Sequence, residues 1–310
     1  MSPKRSAFID VGTNTVLCLI ADLRETGRFR VLDDRAEIAG LGRGVDQTGL
    51  ISAACEERCR VALELFRDHC QNLGVEEIFA VGTSALRDAW NSAEVRSRLG
   101  QRLGCEIRVI SGAEEAAYSF LAVQRGLSLI GELLVIDIGG GSTEFIRGNS
   151  EGISQAVSVN VGSVRLTERF LNSDPVKAEE VTALIDAVNR ELAPLREQFS
   201  RADQALTLVG IAGTFTTLAA VEKQLERYSH SQVHGCCLSL AEVRRQIRLF
   251  QAKSIAERKQ IAGLEAKRAD VILAGACLTE RIMNFFHAES IIVSDQGVRY
   301  GLLHERAQTL

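Results

Sequence analysis

One pattern occurs twice in this chain, and it constrains the fold more than anything else in it. Phe8-Ile9-Asp10-Val11-Gly12-Thr13-Asn14-Thr15 is echoed 127 residues later by Val135-Ile136-Asp137-Ile138-Gly139-Gly140-Gly141-Ser142. A second pair keeps nearly the same spacing: Phe79-Ala80-Val81-Gly82-Thr83-Ser84 and Leu208-Val209-Gly210-Ile211-Ala212-Gly213-Thr214. Two matched features in the same order point to two copies of one fold, and the period is too long for a solenoid. A length of 310 residues accommodates two such copies, since domains typically run to roughly 100–200 residues.

Each copy reads alike. An apolar run ends in Asp-x-Gly, turns, and resumes as a second run, Val16 to Leu23 and Thr143 to Arg147, the signature of a hairpin. A third strand follows (29–39 and 155–161), then a helix (52–72 and 177–199), another strand (77–81 and 205–209) and further helix. Antiparallel strands first and strand–helix alternation afterwards predict an α/β fold of two mixed sheets flanked by helices. The boundary is placed near Gly126. The first domain covers 1–125 with a returning helix at about 298–310, and the second covers 126–297. Domains joined this way are expected to hold a ligand in a cleft between them.

Composition removes several classes. Hydrophobic residues make up 46% and charged residues 25%, an ordinary globular mix that excludes disorder and coiled coil. No apolar run approaches the roughly 18–20 residues of a membrane helix, and no apolar signal core precedes Ala7, so a cytoplasmic protein off the membrane is expected. A net charge of −4 argues against DNA as a partner and leaves anion binding to local sites. The eight cysteines are no disulfide framework. Cys55, Cys59, Ala62, Phe66 and Cys70 recur at helical spacing, so these thiols are expected to pack as small hydrophobes. Cys236-Cys237 is expected to pack as well. His230 and His234 lack the intervening Glu of a zinc helix and are read as part of a polar loop.

The chemistry concentrates in the Asp-x-Gly turns. Gly there lets backbone N–H groups approach a ligand, and the hydroxyls of Thr13, Thr15, Ser142 and Thr143 add donors suited to phosphate oxygens. Asp10 and Asp137 would repel phosphate directly but suit Mg²⁺ or its waters. An ordinary hairpin would explain one such turn; two copies with Asp and hydroxyls are more specific. No Gly-x4-Gly-Lys-Ser/Thr occurs, and Gly40-Leu41-Gly42-Arg43-Gly44 reads as a turn. Ser111 and Glu114 form a capping box at a helix start, which gives Glu114 a structural task. Glu115 points about 100° away around the helix and is the candidate general base. Helix-dipole placement is its plainer explanation. Arg87 and Arg165 are candidate phosphate contacts, and either would equally serve as a surface ion pair.

At these residues the chain resembles the exopolyphosphatase / guanosine pentaphosphate phosphatase (Ppx/GppA) family of the actin-like superfamily. The matching stretches are Asp10 to Thr15, Thr83 to Asn91, Ile110 to Glu115, Asp137 to Glu144, Gly210 to Thr214 and Val293 to Arg299. The resemblance implies two ribonuclease-H-like domains and hydrolysis of a terminal phosphoanhydride bond of inorganic polyphosphate or pppGpp by water, assisted by Mg²⁺ or Mn²⁺. It implies Glu115 as base. Asp10, Asp137 and Glu144 would hold metal. Gly12, Thr13, Asn14, Thr15, Arg87, Gly139, Gly140, Gly141, Ser142, Gly213 and Thr214 would bind phosphate. A phosphotransferase or ATPase of the superfamily and a non-catalytic alarmone-binding regulator are the alternatives, and a homodimer is left open. Longer members carry a C-terminal helical domain of the His-Asp phosphohydrolase type that these residues do not include. The family's Arg-Glu-Gly reads Arg299-Tyr300-Gly301 here, which removes that Glu.

Overall fold

The computed structural model describes residues 3–25, 27–199 and 206–309. The chain divides into two units, Met1–Arg125 with Gln296–Leu310, and Gly126–Asp295. In the first unit β1 (Lys4–Val11), β2 (Thr15–Leu23), β3 (Phe29–Ile38), β4 (Glu77–Gly82) and β5 (Ile107–Val109) form a sheet of order β3-β2-β1-β4-β5. β1, β2 and β3 pair antiparallel, whereas β4 and β5 run parallel to β1.

The second unit holds β6 (Leu133–Ile138), β7 (Thr143–Asn149), β8 (Gly152–Val159), β9 (Thr207–Ile211), β10 (Cys237–Ser239) and β11 (Ser290–Val293), in the order β10-β11-β9-β6-β7-β8. Its β6, β7 and β8 pair antiparallel and β9 joins β6 in parallel. The echo seen in the sequence is therefore an echo of topology, and the expected pair of mixed sheets is present.

The alternation of a strand decides where Asp10 goes. Successive side chains point to opposite faces. Ala7, Ile9 and Val11 enter a core shared with Cys55, Cys59, Ala62, Phe66 and Cys70 of the Ala53–Asn72 helix, which confirms the predicted cysteine face. Phe8 enters the opposite core, made with Tyr118 and Ala122 of the Gly112–Gly126 helix and Leu302 and Leu303 of the Val298–Gln308 helix. Asp10 shares the parity of Phe8. Its carboxylate therefore emerges under the two helices that carry Glu115 and Arg299.

Three expectations need correction. The helix anticipated over 177–199 is two helices, Ala178–Leu192 and Leu195–Phe199. Pro194 lies at the break, where it has no N–H to donate to the helical ladder. Cys237 is exposed, so of the adjacent pair only the half-buried Cys236 packs. His230 and His234 lie on and just after a one-turn helix, His230–Val233, rather than in a loop. Ala205 and Leu310, predicted to lie in a strand and a helix, fall outside the described residues. Among the described residues no helix is long and apolar enough to cross a membrane.

Candidate active site

The two Asp-x-Gly turns close in the same way. Gly12 N–H donates to the Thr15 carbonyl at 3.1 Å, and Gly139 N–H donates to the Ser142 carbonyl at 3.0 Å. A Cβ on Gly12 would stand 2.9 Å from the Thr15 oxygen, so the first turn needs its glycine. Both turns are braced from behind through their carbonyls. Thr13 accepts from Gly42 N–H at 2.8 Å, and Asn14 accepts from Ala39 and Gly40 N–H at 3.1 and 2.9 Å. In the second unit Gly139 accepts from Ser163 N–H, and Gly140 from Val164 and Arg165 N–H, each at 3.0 Å. Gly162 approaches so closely that a Cβ there would lie 2.4 Å from the Gly140 carbonyl. Arg165, a candidate phosphate contact, turns its Nε onto the Gly141 carbonyl at 2.8 Å.

Around Asp10 the first unit assembles a charged cluster. Arg87, on the Ser84–Asp88 helix, donates through Nη1 to Glu115 Oε2 at 2.5 Å and to the Ile110 carbonyl at 3.1 Å. Glu115 Oε1 makes no hydrogen bond among the described residues. Burial pushes the Glu115 carboxyl above its ordinary range, Arg87 pulls it back, and Asp88 adds a smaller upward push. Asp10 is raised to about 7, by burial first and the Glu115 charge second, against the opposing pull of Arg299 and Arg87. Arg299 is held by a fork on Asp34, with both bonds at 2.8 Å, and Tyr300 donates its hydroxyl to the same carboxylate at 3.1 Å.

Glu114 behaves in the opposite way. It is half-buried and accepts from Ser111 N–H at 2.8 Å and from Arg108 Nη1 at 2.5 Å, while Ser111 Oγ accepts from Glu114 N–H at 3.2 Å. The capping box is thus present. The Ser111 backbone, its hydroxyl and Arg108 together hold Glu114 below the usual carboxylate range. Neighbouring glutamates are driven apart in acidity by one step around the helix.

In the second unit Asp137 and Glu144 are register partners across β6 and β7, so their side chains share a face. Both are buried, and Glu144 Oε1 accepts from Ser158 Oγ at 2.8 Å. The matching position opposite Asp10 is Leu17, so this second carboxylate has no counterpart in the first unit. Thr143 Oγ1 is committed to the Val161 carbonyl at 2.6 Å. Gly213 and Thr214 open the Ala212–Glu222 helix behind Ala212, which takes a left-handed φ of 69°, a strained conformation that tends to occur at functional sites.

The donor set suits a hard cation. Asp10 Oδ1 is buried without a hydrogen-bond partner, and so are both polar atoms of the Asn14 side chain. An orphaned carboxylate oxygen of this kind is costly unless something charged or donating meets it. No group of three or more His, Cys, Asp or Glu that could hold a metal gathers among the described residues. Mg²⁺ keeps several waters and binds through one or two carboxylates plus phosphate oxygens, so a buried, orphaned carboxylate oxygen such as Asp10 Oδ1 is the kind of donor it takes.

Against known proteins, the model of the Ppx/GppA phosphatase family matches residues 19–310. The chain belongs to the Ppx/GppA phosphatase family. It is 34% identical over 291 residues to exopolyphosphatase 2 of Mycobacterium tuberculosis, covering 91% of each chain. It is 28% identical over 300 residues to the guanosine-5'-triphosphate,3'-diphosphate pyrophosphatase of Photobacterium profundum, covering 96% of this chain and 58% of that one. Some curated relatives are much longer: this chain spans 46% of the bifunctional 3-dehydroquinate synthase/phosphatase of Fusobacterium nucleatum, to which it is 33% identical over 311 residues. The crystal structure of the Aquifex aeolicus member of the Ppx/GppA family superposes with a TM-score of 0.80 at 32% identity, covering 99% and 98% of the two chains.

Two features of this Ppx/GppA chain escaped the reading of its sequence. Arg268 lies so close to Gly213 that a Cβ there would meet Nη1 at 2.0 Å, which puts a guanidinium against the Gly213 backbone. Their separation of 55 residues hides the contact from any local pattern. His230 and His234 stack with centroids 5.0 Å apart, and His230 Nδ1 lies 2.6 Å from Asp295 Oδ2. Their one-turn spacing was visible, but the distant carboxylate that organises them was not.

Proposed function

We propose that this chain is a phosphohydrolase that removes the terminal phosphate from inorganic polyphosphate or guanosine pentaphosphate, with Glu115 as the base toward water. The observation that carries the reading is the Arg87–Glu115 pair beside Asp10. Such hydrolysis needs charge neutralisation and an aligned water more than covalent help. The phosphate chain is assigned to the turn N–H groups and hydroxyls of Gly12 to Thr15 and Gly139 to Ser142, with Gly213, Thr214 and Arg87. Asp10, Asp137 and Glu144 are the residues to hold Mg²⁺, or Mn²⁺ in its place, which when bound offsets the charge of the phosphate oxygens.

Glu115 supplies the proton step. Water attacks the terminal phosphorus, the anhydride P–O bond breaks, and the water proton passes to Glu115 Oε1. The products are orthophosphate and a chain shorter by one phosphate. Burial raises the proton affinity of Glu115, as a base operating near neutrality requires. Arg87 holds the other oxygen and so fixes the direction of the carboxylate. The same proposal places the enzyme in the cytoplasm, where its free cysteines suit a reducing compartment.

The test is phosphate release from long-chain polyphosphate, guanosine pentaphosphate and ATP, measured side by side with Mg²⁺ and with excess chelator. Release from either of the first two that collapses in chelator is the expected result. Release from ATP alone would make the chain an ATPase, and full activity in chelator would remove the metal from the account.

A further inference from the structure

The chain has one tryptophan, and it stands in the open three residues after Arg87. Trp90 is 83% exposed, more than any other aromatic residue among the exposed large hydrophobics. This one rests on a neighbouring loop that its own backbone and the next residue hold in place. Its backbone N–H donates to the Gly49 carbonyl at 2.9 Å. The indole lies on Gly49, where a Cβ would come within 3.0 Å of ring carbon Cε2. Asn91, next in sequence, clasps Ile51 by two bonds, Nδ2 to the carbonyl at 2.9 Å and Oδ1 from the N–H at 3.0 Å. Leu50, 45% exposed, adjoins Gly49 in the chain.

The setting connects this ring to the phosphate-binding residues. β3 ends at the same sheet end as the Asp10 turn, since Ile38 pairs with Thr15. The segment after it runs across that end. Gly42 N–H bonds the Thr13 carbonyl, and a Cβ on Gly42 would meet Thr13 Cγ2 at 2.4 Å and Ala85 Cβ at 3.2 Å. The segment then reaches Gly49 under the indole. Trp90 itself follows Arg87 by three residues. Thr13, Gly42 and Ala85 therefore meet at one end of the first sheet, and the chain from Gly42 to Gly49 and from Arg87 to Trp90 leads from there to the indole.

We infer that Trp90 is a stacking platform for the purine base of a nucleoside polyphosphate whose phosphate end occupies the Asp10–Arg87–Glu115 site. This rests on the function proposed above and adds a base subsite to it. An exposed aromatic face recognises a base without reading its edge, and stacking is worth ~1–3 kcal/mol per base, about five- to a hundred-fold in affinity. Inorganic polyphosphate has nothing to stack, so the platform separates the two substrate classes.

Because Trp90 is the sole tryptophan, its fluorescence reports this position alone. The experiment titrates the full chain with GTP and, separately, with inorganic tripolyphosphate, both with Mg²⁺. Quenching by GTP and none by tripolyphosphate is expected. In parallel, Trp90→Ala should raise KM for guanosine pentaphosphate roughly ten-fold at unchanged melting temperature, leave KM for polyphosphate unaltered, and be partly rescued by Trp90→Phe. Equal fluorescence responses to the two ligands, or equal changes in both KM values, would overturn the assignment. If Trp90→Ala shifts sedimentation while nucleotide KM is unmoved, the indole belongs to a contact between copies and the proposal falls. Failure of phosphate release with every substrate would count against the proposed hydrolase, whereas the GTP titration would still decide the base subsite.

Discussion

Asp10→Asn should make the protein more stable at high pH, and the size of the gain follows from burial. An unfolded aspartate titrates near pH 4, whereas Asp10 in the fold is raised to about 7, by burial first and by Glu115 second. Between those values the native state binds a proton that the unfolded state has released. Stability from this group is therefore complete below about pH 4 and is lost as pH rises through about 7. A difference of about 3 pKa units at about 1.4 kcal/mol each gives an upper limit of about 4 kcal/mol. Asparagine keeps the shape and cannot ionise. Urea denaturation in chelator, at about pH 5 and about pH 8, should show the variant gaining on the parent by about 2–3 kcal/mol as pH rises, the first third of the limit having accrued below about pH 5. Mg²⁺ at the higher pH should stabilise the parent and leave the variant where it was. A stability difference that is constant across this range would refute the argument, because the carboxylate would then not be strained by its surroundings.

Other perturbations test the surrounding parts. Arg87→Gln leaves Glu115 as a buried carboxylate without its cation and should cost about 1–3 kcal/mol; the Arg87→Gln/Glu115→Gln double variant should recover much of it, which a double-mutant cycle by denaturation would measure. Gly162→Ala sets a carbon 2.4 Å from the Gly140 carbonyl, so it should lower the melting temperature and abolish turnover together, whereas alanine at Gly131, where nothing lies within 4 Å but φ is +93°, should cost only about 1–2 kcal/mol with kcat preserved.

What the sequence revealed and what it hid divide along the distance between partners. The Asp-x-Gly hairpins were legible because their closing bonds, Gly12 to Thr15 and Gly139 to Ser142, span three residues. The buried cysteine face and the Ser111–Glu114 box were legible for the same reason, being helical spacings within one or two turns. The break at Pro194 was legible in principle; the apolar periodicity on either side masked it. The ion pair of Arg87 with Glu115, the fork of Arg299 on Asp34, the guanidinium of Arg268 on Gly213 and the meeting of His230 with Asp295 join residues 28 to 265 positions apart, as only the folded sheets bring together. Strand parity explains the most consequential of these. Asp10 faces Glu115 and Arg299 because it alternates with Ile9, and the sequence showed the alternation without showing which helix would cover each face.

The most direct test of the account sets the two neighbouring glutamates against each other. Glu115→Gln keeps the size of the side chain and its bond to Arg87 but cannot take a proton from water. It should bind polyphosphate or guanosine pentaphosphate with unaltered affinity and lose about 10²–10⁴ in kcat, the usual worth of a positioned general base. Glu114→Gln should retain kcat, because glutamine also closes a capping box, and should shift stability by less than about 1 kcal/mol. Single-turnover phosphate release for both variants, beside their melting temperatures, gives the answer. An inactive Glu114→Gln with an active Glu115→Gln, or full kcat in both, would contradict the assignment of the base.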